Sequence, residues 1–178
     1  NAQAQPTIDR AATLPAINVE AQADRETATG PVYGYRAQRS ATATKTDTTL
    51  SETAQSVTVV TREQIVDQGA TSIQEALNYA AGVRSDAYGV DSRSDGVRVR
   101  GTEPAMFLDG LRQNYDYYTS TTRPDPYTLE RLEVLRGPSS MLYGQGGTAG
   151  IVNMVSKRPL AEAQNEVGVQ IGNHGRKQ

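Results

Sequence analysis

Asp125-Pro126-Tyr127-Thr128-Leu129-Glu130-Arg131-Leu132-Glu133-Val134-Leu135-Arg136-Gly137-Pro138, followed by Gly150-Ile151-Val152-Asn153-Met154-Val155-Ser156, is the stretch that decides the fold. Apolar and charged residues alternate over 131–135, the period of a strand with one polar face. Residues 151–155, with three β-branched side chains, read as a second strand. Pro126 opens one helical turn to Glu130. Pro138 can begin a short helix through Leu142, because the first helical N–H has no intrahelical acceptor to lose. Residues 144–150 are a glycine-rich loop that returns the chain to the second strand.

Working upstream, Ser56-Val57-Thr58-Val59-Val60-Thr61 reads as a strand whose last residue caps a helix from Arg62 to Gln68, stopped at Gly69. Thr71 or Ser72 opens a second helix with Ile73, Ala76, Leu77 and Ala80 on one face and Gly82 at its end. After a polar loop at 83–96, residues 97–101 and 105–110 look like two strands joined by a tight turn at Thr102-Glu103-Pro104. A second polar loop, 112–125, carries Tyr115, Tyr117 and Tyr118. The expected fold class over 51–160 is α+β: a small mixed β-sheet with short helices and long loops.

The two ends differ from this. Residues 1–50 are poor in large apolar side chains and are expected to be a mostly disordered or extended, flexible tail. Within it lies Leu14-Pro15-Ala16-Ile17-Asn18-Val19-Glu20-Ala21, where Ile17 and Val19 alternate with polar residues and Pro15 disfavours helix. Such a segment can add as a strand to a partner's sheet edge, although short alternations also occur in linkers. At the other end Val167, Val169 and Ile171 alternate with Glu166, Gly168, Gln170 and Gly172. That is the rhythm of a transmembrane barrel strand, or of an ordinary edge strand. A barrel needs at least about eight strands, so 161–178 is expected to be a linker and a first barrel strand, with the barrel itself absent.

Composition narrows the function. A net charge of −2 gives no nucleic-acid footprint. No apolar run is long enough for a transmembrane helix, and residues 1–5 have no signal-peptide character. There is no cysteine, and His174 is the only histidine, so no transition-metal site and no cofactor are expected. Glu130 and Glu133 lack an accompanying nucleophile or base, so the chain is not expected to be an enzyme. Gly144-Gln145-Gly146-Gly147 lacks the Lys-Ser/Thr ending of a phosphate loop, and turn geometry explains it better. Nine tyrosines against one phenylalanine and no tryptophan suit a wet ligand surface, or an ordinary exposed one.

The stretch from Asp125 to Pro138, then Leu142-Tyr143-Gly144 and residues 150–159, resembles the signature of TonB-dependent receptor plugs. Residues 55–61, Glu75-Ala76-Leu77, Gly82-Val83, Val99-Arg100-Gly101 and Leu108-Asp109-Gly110 follow in the same order. Residues 34–37 and 39–47 resemble the ferric hydroxamate branch, which includes ferrichrome and ferrioxamine receptors. The resemblance implies a plug seated in an outer-membrane barrel of about 22 strands, in a Gram-negative bacterium, with its N-terminus in the periplasm. It implies that residues 14–21 are the TonB box that pairs with TonB, and that Arg100 and Arg136 pair with barrel carboxylates. Each arginine could otherwise be a solvated charge. It also implies that a ferric siderophore, which carries its own iron, touches the two polar loops, giving Tyr88, Glu103, Tyr115, Tyr117 and Tyr118 as candidate contacts. Tyr88 stands where the ferrichrome pattern has an arginine, and Thr102-Glu103-Pro104 is shorter than that pattern's turn. No transcriptional signalling through an extra N-terminal domain is expected. The rival expectation is a stand-alone soluble periplasmic ligand-binding or adhesion domain.

Overall fold

The computed structural model describes residues 26–87, 89, 91, 93–113, 123–145, 148–160, 163–169 and 171–173. Its centre is a five-stranded sheet. The strands are β3 (Ser56–Thr61), β6 (Ala105–Leu108), β7 (Leu111–Arg112), β8 (Leu129–Arg136) and β9 (Gly150–Ser156), in the order β3-β8-β9-β6-β7. β6 and β9 run parallel and the other neighbours antiparallel, so the expected mixed sheet is present. Two small pairs flank it: β1 (Arg39–Ser40) with β2 (Thr48–Thr49), and β4 (Val83–Arg84) with β5 (Arg98–Val99).

β8 organises the core. Leu132 and Val134 point into the main apolar cluster with Val60, Ile65, Ile73, Leu77, Val152 and Met154. Leu135 belongs to a second cluster with Ala43, Phe107 and Ile151. Two short helices cover the first face. α1 (Arg62–Asp67) is capped by the Thr61 side chain, which accepts from Gln64 N, and is followed by Gly69 at φ +60°. α2 (Ile73–Ala76) is capped by Ser72. Both caps were legible, but α2 stops after four residues instead of continuing to Ala80. The apolar face persists beyond it as turns that still bury Leu77 and Ala80. A third helix, α3 (Ser140–Tyr143), and a 3-10 turn at Pro126–Thr128 lie close to their expected places.

Three expectations are corrected. Residues 97–101 and 105–110 do not form a hairpin with each other: β5 pairs with β4, and β6 with β9 and β7. The tight turn is Arg100-Gly101 itself, with φ of 51° and 83°, closed by Thr102 N to the Val99 carbonyl at 3.1 Å. Positive φ at both central positions is the type I′ signature, whose twist matches that of paired strands. Second, Asp109-Gly110, with φ of 50° and 79°, makes another such turn into β7, which the strand assigned to 105–110 overlooked. Third, the polar face of β8 is not solvated: Arg131 and Glu133 are both buried. They are covered by residues 26–43, which had been assigned to a tail without fixed structure. Small side chains there, Ala28, Ala37, Ser40, Thr42 and Ala43, are buried against the sheet. Among the described residues of 163–173, Val167, Val169 and Ile171 are exposed. Residues 14–21, Tyr88, Tyr115, Tyr117, Tyr118 and His174 lie outside the described residues. Among those described, no helix is long and apolar enough to cross a membrane.

Candidate functional site

The site is built at one end of the sheet, where β3 begins and β8 ends. β8 spans about 24 Å, its seven residue steps each rising about 3.4 Å, so this end is well separated from the one carrying α1. Arg136 is the last residue of β8. Its Nε donates to the Ala81 carbonyl at 2.7 Å, Nη1 to Ser56 Oγ at 3.1 Å and Nη2 to Thr58 Oγ1 at 2.6 Å. Arg100 reaches the same place through its backbone, which donates to the Gly82 carbonyl at 2.9 Å. Its side chain is exposed at the apex of the type I′ turn. Burial, and after it the positive charge of Arg100, lowers the pKa of the Arg136 guanidinium. Two like charges are thus held together. Among the described residues neither forms an ion pair with a carboxylate. The structure brings together the two arginines that the sequence singled out. Glu103 is exposed just beyond Arg100.

The two polar loops are joined by a feature the sequence reading missed. Asp95, at the end of the first loop, accepts from Arg123 Nε and Nη2 at 3.2 and 3.1 Å and from Ile73 N at 3.3 Å. Burial raises the carboxyl's pKa, and Arg123 opposes that rise. Arg123 lies near the end of the second loop, where the described residues resume, so the ion pair holds the two loop bases together. An Asp and an Arg in separate loops give no local signal of pairing.

On the opposite face of β8, Glu133 accepts from Ser40 Oγ at 2.8 Å and from Thr42 Oγ1. Burial raises its pKa despite those bonds and the nearby Arg131. A small cavity of about 210 Å³ lies beside it, lined among others by Lys45, Tyr143, Asn153 and Asp109. A groove of about 510 Å³ lies at the other end of the sheet, between α1 and residues 166–169, and contains none of Arg100, Glu103 or Arg136. Among the described residues, no cluster of three His, Asp or Glu is arranged to hold a metal.

These features define a class: a small mixed-sheet domain with long tied loops and a positively charged sheet end that, among the described residues, has no carboxylate paired to it. The sequence model of the TonB-dependent Receptor Plug Domain matches residues 49–151, and the chain belongs to that family. It is 40% identical over 157 residues to the ferrichrome outer membrane transporter/phage receptor of Escherichia coli K12, covering 85% of this chain and 21% of that protein. It is 43% identical over 163 residues to the ferrioxamine receptor of Yersinia enterocolitica, covering 89% and 23%. Among solved structures, the ferripyoverdine receptor of the Pseudomonas aeruginosa outer membrane superposes with a TM-score of 0.67 at 30% identity, over 77% of this chain and 18% of that one. The chain therefore spans about a fifth of the length of these relatives.

Proposed function

We propose that this chain is the gate of an outer-membrane receptor for a ferric siderophore, of hydroxamate type, and that it performs no catalysis. The paired arginines at the sheet end support this most directly. Arg100 and Arg136 repel one another unless an anionic partner is supplied from outside, and a carboxylate on an enclosing barrel wall supplies it in the bidentate geometry guanidinium favours. Loops 83–96 and 112–125, tied by Asp95 and Arg123, form the ligand-facing surface and carry Tyr88, Tyr115, Tyr117 and Tyr118, with Glu103 close to the arginines. Iron arrives chelated by the siderophore, so the protein needs no metal ligands of its own. Residues 14–21 pair with TonB on the periplasmic side. The relatives named for ferrichrome and ferrioxamine support the hydroxamate class. A metal-pseudopaline receptor of Pseudomonas aeruginosa is also 40% identical over 152 residues, so the decisive test compares chemistries.

The test is calorimetry on the barrel-bearing receptor with ferrichrome, ferrioxamine B and a metal–pseudopaline complex. The proposal expects the hydroxamates to bind at least about 100-fold more tightly, a difference of about 2.7 kcal/mol. Preference for pseudopaline would reject the hydroxamate class. Tight binding of any of them by this chain alone would favour the stand-alone binder.

A further inference from the structure

We propose that residues 26–49 form a detachable strap, latched over the sheet by the buried pair Arg131 and Glu133, and that it opens while the five-stranded sheet stays folded. The proposal does not depend on how residues 14–21 are read.

The strap's attachment differs from that of every sheet strand. β1 and β2 pair only with each other and join no strand of the central sheet. The other backbone bonds of its described residues, such as Lys45 N to Ala41 O and Leu50 N to Gln38 O, stay within the strap and the residues just after it. Beyond two bonds to α1, Gly34 N to Glu63 at 2.6 Å and Tyr35 OH to Asp67 at 2.5 Å, what fixes it to the sheet is a small set of side chains. Arg131 donates to the carbonyls of Thr27 at 2.6 Å, Gly30 at 3.0 Å and Arg39 at 3.2 Å. Glu133 takes the hydroxyls of Ser40 and Thr42. Asn153 Nδ2 donates to Thr42 Oγ1 at 2.9 Å, and Tyr143 OH to the Thr42 carbonyl at 2.8 Å. Apolar attachment is slight, because the buried apolar residues of the strap are Ala28, Val32, Ala37 and Ala43.

The latch is also imperfect. Arg131 Nε and Glu133 Oε1 are 3.7 Å apart, and neither has a hydrogen-bond partner. A buried ion pair is stabilising only as far as its attraction and hydrogen bonds exceed the lost hydration. Opening the strap returns water to both charges, so the opened state recovers much of what it loses. Removing a strand of the sheet would instead break a ladder and expose large apolar side chains. Local opening below the global unfolding limit follows from this difference.

The 178 residues include no cysteine, so single reporters can be introduced cleanly. Ala43→Cys places a thiol under the strap, and Val152→Cys places one in the sheet centre. Thiol labelling of the folded protein is read against the same variant in denaturant. The Ala43→Cys thiol should react at least tenfold faster than the Val152→Cys thiol. Adding Arg131→Met or Thr42→Val should speed the former a further tenfold or more and leave the latter within twofold. Equal rates at the two reporters would overturn the proposal, as would acceleration of both by one factor or no acceleration by Thr42→Val. If Arg131→Met does not fold, Thr42→Val, which leaves the sheet residues untouched, decides alone.

Discussion

Two glycine-linked positions carry opposite expectations. Gly150 has φ +119°, and a Cβ there would lie 2.0 Å from the Leu135 carbonyl oxygen. That oxygen is backbone of β8 at the last pairs of the β8–β9 ladder and cannot move cheaply. Gly150→Ala should therefore destabilise the fold by about 3 kcal/mol or more, from overlap plus backbone strain, measurable by urea unfolding. Arg100 is the reverse case. It holds a left-handed backbone at φ 51° with an exposed side chain. Arg100→Gly should leave this chain as stable or up to about 1 kcal/mol more stable, because glycine adopts that conformation freely. In the barrel-bearing receptor the same change should loosen the plug by about 3 kcal/mol or more, since a barrel carboxylate would lose its partner. Arg100 is a cleaner probe than Arg136, whose guanidinium also ties Ala81, Ser56 and Thr58 within the domain. Unchanged plug release in the Arg100→Gly receptor would remove the lock role.

At the scale of elements, β3, β8, β9 and α1 were legible because their periodicity and caps are local. β7 was missed although Asp109-Gly110 is a strong two-residue hairpin signal; only Leu111 and Arg112 follow before the polar loop. The pairing of β5 with β4 was hidden because Arg100-Gly101 and the short 102–104 segment invite a simple hairpin. The strap was illegible for a deeper reason. Alanine, threonine and serine carry little apolar drive of their own, and order is imposed on them by Arg131 and Glu133, distant in sequence. Tyr143 tests that attachment. Burial pushes its hydroxyl from the ordinary 10.0 up to about 12. A raised folded-state pKa gives a stability contribution that is complete below about pH 10 and lost as pH rises through about 12. Tyr143→Phe should thus melt lower at neutral pH yet show a flatter alkaline decline over that window. Thermal unfolding at a series of pH values checks this, and an unaltered slope would count against the buried hydroxyl.

For the whole molecule, the family and the arginine pair were readable from the sequence, while the Asp95–Arg123 tie and the latch were not, because each joins residues without local pattern. Energy coupling is the property that belongs to this scale. Strand addition by residues 14–21 would use backbone donors and acceptors, so Ile17→Pro removes an N–H and fixes φ near about −65°, whereas Ile17→Ala removes side-chain contacts only. Cells carrying Ile17→Pro should bind ferric siderophore at the surface normally but fail to import it, with Ile17→Ala milder. Normal import by the proline variant, followed with radiolabelled iron, would mean that this segment does not couple to TonB.

The covered face of β8 also has a consequence in time. Ser40 is separated from Glu133 by 93 positions, and Thr27 from Arg131 by 104. A ribosome extending the chain at about 5–20 residues per second needs about 5–20 s to produce the second partner after the first. Throughout that interval the early segment has nothing to dock on, and its polar, small-residue composition keeps it soluble while it waits. The same composition that makes the strap easy to release thus suits it to be made first and seated last.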